Sequence, residues 1–173
     1  LIDNIPIVTM RIHSIGERTV NQIREDSTST IRGWVLNHEF RVTYRDSLMP
    51  SETLQLGTFT PQVTNANLVP ISVSDNFAED TKVTIGDKIT FNVQGVLINT
   101  IVGSIRAVDW GSIQPNFTVL FPRGVLENAP QFRVITTYIP DEQTSATLQQ
   151  ELVNKFPNVS ILDLRQILNV VEK

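Results

Sequence analysis

Ile85-Gly86-Asp87-Lys88-Ile89-Thr90-Phe91-Asn92-Val93-Gln94-Gly95-Val96 is the most legible stretch of this chain. Ile89, Phe91 and Val93 alternate with polar residues, which is the period of a half-buried strand. Gln94-Gly95 supplies a two-residue turn, because glycine tolerates positive φ. Val96 to Ile105, continuing towards Val108, reads as the return strand. A β-hairpin therefore sits at mid-chain. Val, Ile and Thr supply 55 of the 173 residues, whereas Ala occurs five times. β-branched side chains are stiff at χ1 and pack on a pleated surface, so the composition predicts a strand-rich domain with few helices.

Upstream of the hairpin, Ile5-Pro6-Ile7-Val8-Thr9-Met10-Arg11-Ile12 is extended, with Pro6 near the strand start. Residues 16–30 are polar and read as a mobile surface loop. Trp34 to Tyr44 reads as a strand, with Phe40, Val42 and Tyr44 on one face. Residues 47–57 read as a connection, and Val69 to Val73 as a short strand. Ser74 is placed to cap a helix over residues 75–80. Downstream, Phe117 to Phe121 is a strand ended by Pro122-Arg123-Gly124.

The last 43 residues differ in character. Phe132 to Ile139 reads as a strand. Leu148, Leu152, Val153 and Phe156 form an apolar stripe on a helix over residues 144–156, which Pro157 stops. A strand over residues 159–162 follows, and Asp163 then caps a helix carrying Leu164, Ile167, Leu168 and Val171. This β-α-β-α tail predicts an α+β chain in two lobes: an α/β lobe from residues 1–29 plus 128–173, and a β-rich lobe inserted over residues 30–127.

A net charge of −4 and a pI near 5.1 argue against nucleic-acid binding, which draws most of its affinity from phosphate contacts. The absence of cysteine removes disulfides, Cys-ligated zinc, iron–sulfur clusters and a Cys nucleophile. His13 and His38 are too few for a three-His zinc site, and His38 and Glu39 point to opposite faces of a strand. There is no phosphate-binding Gly-Lys-Ser/Thr and no Gly-x-Ser-x-Gly elbow. No residue is assigned a catalytic, metal-binding or cofactor-binding role. No apolar run reaches the length of a membrane span, and a start at Leu1 reads as a piece of a longer protein.

The run Asp109-Trp110-Gly111-Ser112-Ile113-Gln114-Pro115-Asn116-Phe117 describes a shaped loop between two strands. It admits two readings. Trp110 plugs a small core while Asn116 caps a turn, or the loop grips a partner or guides an apolar molecule. The candidate contact residues are Asp109, Trp110, Asn116 and Phe117, together with Arg45 and Asp46, which also read as a simple surface pair.

These residues also carry a resemblance. The segments at 85–91, 108–117 and 120–127, with 37–46 and 156–163, resemble the extracytoplasmic domain of YbbP-type ABC transporter permeases, within the FtsX/MacB-like superfamily. The Gly86-Asp87 turn is generic to the superfamily, and the Asp109–Phe117 run is more specific to the YbbP-like branch. The chain departs from the family after Gly57, where Thr58-Phe59 stands in place of an expected Trp-like aromatic, and over residues 79–83, which lack the Leu-Gly that often precedes the Gly-Asp turn.

The resemblance implies a MacB-like periplasmic core, with a porter-like α/β lobe and an inserted Sabre-like β lobe. It implies a non-catalytic, cofactor-free domain at the periplasmic face of the bacterial inner membrane, held by flanking helices. The implied role is mechanotransmission during export or extraction of hydrophobic compounds. The implied partners are a cytoplasmic ATP-binding subunit acting through the parent permease, a second extracytoplasmic domain, and a periplasmic lysophospholipase-type esterase. The other expectation is a ligand-binding domain that holds a lipid-like substrate between its lobes.

Overall fold

A computed structural model describes residues 2–65, 67–112 and 114–164. Its elements are β1 (Ile2–Ile15), β2 (Arg18–Thr19), α1 (Val20–Glu25), α2 (Gly33–Asn37), β3 (Phe40–Tyr44), β4 (Glu52–Gly57), β5 (Val69–Ser74), α3 (Asp75–Thr81), β6 (Lys88–Val93), β7 (Val96–Val108), β8 (Val119–Phe121), β9 (Phe132–Thr137) and α4 (Glu142–Lys155).

The central hairpin is present as read. β6 and β7 pair antiparallel from Val93↔Val96 to Lys88↔Ile101. Gln94 and Gly95 both take positive φ, at 51° and 100°. The Asn92 side chain fixes the turn by accepting from the Gly95 amide at 2.7 Å.

Around this hairpin the strands close on themselves. β1 pairs with β3, β3 with β8, β8 with β5, β5 with β7, β7 with β6, and β6 with β1. The result is a closed six-stranded barrel, which leaves no free edge within the ring. Alternating side chains fill it: Val8, Met10 and Ile12 from β1, Phe40 and Val42 from β3, Val69, Ile71 and Val73 from β5, and Ile89, Phe91 and Val93 from β6 are all buried. Phe91 meets Phe121 at 6.0 Å, and Phe40 meets Phe77 of α3 at 5.5 Å, both edge to face.

β7 is long enough to serve three partners. β5 lies along residues 100–106 of one edge, so β6 and then β4 must occupy the other. The handover falls at Gly103, whose carbonyl accepts from the Thr58 amide at 3.0 Å. Gly57 ends β4 there with φ +76, and a Cβ on it would stand 2.2 Å from the Gly103 oxygen. That approach requires glycine.

The described residues fall into two compact units, one over Asn4–Val134 and one that holds residues 2–3 with 135–164. The first contains the barrel. In the second, α4 is capped by Asp141, whose carboxylate accepts from the Thr144 amide at 2.7 Å. Of the apolar stripe expected on this helix, Leu148 and Leu152 are partly buried while Val153 and Phe156 are more than half exposed, and Ser145 is the residue of α4 that is buried.

The expected fold class is thus corrected. The chain is mostly β, with a closed barrel and four short helices among the described residues, not an α+β arrangement with a porter-like α/β lobe. The reason is the length of β1. One end pairs with β3 through Val8–Met10 and the other with β6 through Arg11–Ile15, and these two pairings close the ring.

Local expectations fare unevenly. The helix after Ser74 forms, with Ser74 Oγ accepting from the Phe77 amide at 3.3 Å. The polar stretch 16–30 instead holds β2 and α1, because Thr19 and Gln22 form a capping box and Ile23 is buried. Trp34 lies on a helix, and the strand begins only at Phe40. The connection 47–57 contains β4. Residues 159–162 are irregular, not a strand. The helix expected over residues 164–171 falls, beyond Leu164, outside the described residues.

Candidate functional site

The Asp109–Phe117 run connects β7 to β8, and hydrogen bonds to β4's approach hold it in shape. The Asp109 amide donates to the Ser51 carbonyl at 2.8 Å. Asn116 closes the loop by donating from Nδ2 to the Asp109 carbonyl at 2.8 Å, while Ser51 Oγ donates to Asn116 Oδ1 at 2.9 Å. Asp109 Oδ1 accepts from the Gly111 amide at 3.0 Å. Phe117 is buried. Trp110 is 45% exposed, so it does not plug a core.

Beneath the loop lies a buried ionic network that sequence reading missed. Arg106 of β7 is fully buried. Its Nε donates to Glu52 Oε1 at 3.1 Å, its Nη1 to the Ser72 carbonyl at 2.7 Å, and its Nη2 to the Phe117 carbonyl. Glu52 Oε2 accepts from Arg45 Nη2 and from the Met49 amide, the latter at 3.0 Å. Arg45, Glu52, Arg106 and Phe117 therefore form one connected chain. The signal for it was visible: Arg106 is in phase with Thr100, Val102 and Ser104, all buried on β7. A charge in the buried phase of a strand needs partners.

Of the six candidate residues, Asp109 and Asn116 bond each other directly, and Arg45 and Phe117 meet through the network. Asp46 stands apart, in an exposed pair with Arg123 at 3.2 Å. Such a pair contributes little.

Burial pushes the Glu52 carboxyl up, but the Met49 amide and the charges of Arg106 and Arg45 outweigh it and hold it below the usual 4.5. Burial likewise lowers Arg106, opposed by Glu52. A carboxylate with a lowered folded-state pKa stabilises above its unfolded value, and this stabilisation is lost as pH falls through the folded value. The urea midpoint is therefore expected to stay level from pH 7 to about 5, then fall below 4.5, the usual carboxyl value. Glu52→Gln should flatten that acid limb. Parallel limbs in the two proteins would show that Glu52 does not carry it.

Next to the loop is an open cleft of about 470 Å³, lined by Trp34, Trp110, Phe77, Glu79, Asp80 and Arg32 among others. Trp34, 43% exposed, is held by α2: its Nε1 donates to Asp80 Oδ2 at 2.9 Å, and its ring meets His38 at 5.3 Å. Arg32 pairs with Asp80 Oδ1 at 2.8 Å, and its amide donates to the Asp80 carbonyl at 2.9 Å. The sequence pattern places Trp34 on a strand, whereas the structure carries it on α2 and sets it in the cleft lining. Among the described residues no group of three or more His, Asp or Glu is placed to hold a metal ion. Nor is any helix among them long and apolar enough to cross a membrane.

No family model matches the chain. The chain is 28% identical over 166 residues to a protein of Escherichia coli (strain K12) described as an uncharacterized ABC transporter permease, YbbP. The match covers 96% of this chain and 19% of that protein, so the chain corresponds to about a fifth of its relative's length. The likeness to YbbP-type permeases, read above from separate segments, thus extends over almost the whole chain.

Proposed function

We propose that the chain is a non-catalytic extracytoplasmic segment of an ABC transporter permease, at the periplasmic face of a bacterial inner membrane. Its role is to pass on movement, so that ATP hydrolysis by a separate cytoplasmic subunit drives export or extraction of hydrophobic compounds. The observation that carries this reading is the likeness to a named ABC permease along 96% of the chain.

The geometry supports a transmitting role. The Asp109–Phe117 loop is joined to β4 and β7 through Ser51, Glu52 and Arg106, so a displacement at the loop is felt by the barrel wall. Asp109, Trp110, Asn116, Arg45 and Asp46 are the proposed contact set, and the buried Phe117 supports the loop from beneath. The partners they face are a second extracytoplasmic domain of the same permease or a periplasmic lysophospholipase-type esterase.

Topology tests the reading directly. Leu97, at the tip of the β6–β7 hairpin, is about half exposed, and this chain has no cysteine of its own. Leu97→Cys in a full-length permease stripped of other cysteines should react with a membrane-impermeant maleimide in intact spheroplasts. Labelling only after the inner membrane is permeabilised would place the segment in the cytoplasm and end the proposal.

A further inference from the structure

We propose that the cleft between Trp34 and Trp110 is a binding site for an organic cation of the quaternary-ammonium class. This rests on the cleft alone and not on the transporter reading. The two tryptophans are the only ones in the chain, and both line this cleft while remaining nearly half exposed. Two half-exposed indoles lining one cleft offer a ligand both apolar and π contact surface. The Trp34 ring and the backbone that carries Trp110 are held in place beforehand. Trp34 is fixed by Asp80 and His38, and Trp110 is carried on the loop that Ser51 and Asn116 tie down. Such preorganisation lowers the entropy cost of binding.

The charges select the ligand class. Glu79 and Asp80 outnumber Arg32 in the lining, and Arg32 is already engaged by Asp80. Glu79 has no ion pair among the described residues. An anion would be repelled. A neutral apolar ligand would strip water from Glu79 and bring no opposite charge to offset it. A small inorganic cation would keep its hydration shell. A weakly hydrated ammonium gains from both indole rings by cation–π attraction and from the Glu79 carboxylate at once. A volume of about 470 Å³ takes a small organic ligand.

Because both fluorophores line the cleft, intrinsic fluorescence reads it directly. Choline and benzyltrimethylammonium chlorides should each produce a saturable change, with ionic strength matched by sodium chloride. The larger aromatic cation should bind more tightly. 3,3-Dimethyl-1-butanol, which has the shape of choline without its charge, should produce none. Trp110→Leu, read through Trp34, should abolish saturation while leaving the melting temperature unchanged. Glu79→Gln should weaken binding by roughly threefold to tenfold. The proposal is overturned by a non-saturating response to both cations up to about 100 mM. It is equally overturned if the neutral alcohol titrates like choline, or if Trp110→Leu binds as tightly as the parent.

Discussion

Glu52→Ala is expected to destabilise the chain by about 3–5 kcal/mol, the usual cost of breaking a buried ion pair from one side. The variant leaves the Arg106 guanidinium fully buried with only carbonyl and hydroxyl partners, the Ser72 and Phe117 groups. It also takes from Arg45 its carboxylate and from the Met49 amide its acceptor. For a domain of this size the loss corresponds to roughly 6–20 °C in melting temperature. The double variant Glu52→Leu with Arg106→Met removes both charges together. It should recover a large part of the loss, because the desolvation cost disappears along with the attraction. Thermal melts followed by circular dichroism decide the matter. A Glu52→Ala melt within 2 °C of the parent would mean that water reaches Arg106 and that the network is not buried in solution.

Gly124→Ala should cost about 2–5 kcal/mol, from backbone strain and overpacking together. Gly124 follows β8 with φ +96, and a Cβ there would stand 2.0 Å from the Val63 carbonyl oxygen. That oxygen belongs to a backbone segment tied down at the same point, since the Val63 amide donates to the Arg123 carbonyl at 2.9 Å. Gly95 provides the control. Its φ is +100, almost the same, but a Cβ there meets nothing within 4 Å. Gly95→Ala therefore carries the strain without the collision, about 1–2 kcal/mol. Equal losses for the two variants, measured by urea unfolding, would refute the close approach of Val63.

How much was legible depended on the range of the interaction concerned. The β6–β7 hairpin was readable because everything that makes it lies within a few residues: the alternation of Ile89, Phe91 and Val93, the Asn92 side chain under the turn, and Gly95 at positive φ. The α3 cap at Ser74 and the α4 helix were readable for the same reason. The candidate loop was legible as a shaped loop, through Gly111, Pro115 and Asn116. Its tie to Ser51 was not, because the two are 65 residues apart. Misreadings arose where a polar stretch carried one anchor. Ile23 and the Thr19–Gln22 box turned an expected loop into α1, and α2 took Trp34 away from the strand that begins at Phe40.

The sequence by itself determined the strand-rich class, the hairpin, the local caps and the likeness to YbbP-type permeases, since all of these reside in composition and near-neighbour spacing. Tertiary structure alone decided that the strands close into a barrel. That closure depends on β1 meeting β3 at one end and β6 at the other, across separations that no local pattern encodes. Tertiary structure also brought Arg106 to Glu52 and set Trp34 and Trp110 on one cleft. Burial of a charge and convergence of two distant indoles are properties of packing, and become visible only when the chain has closed on itself.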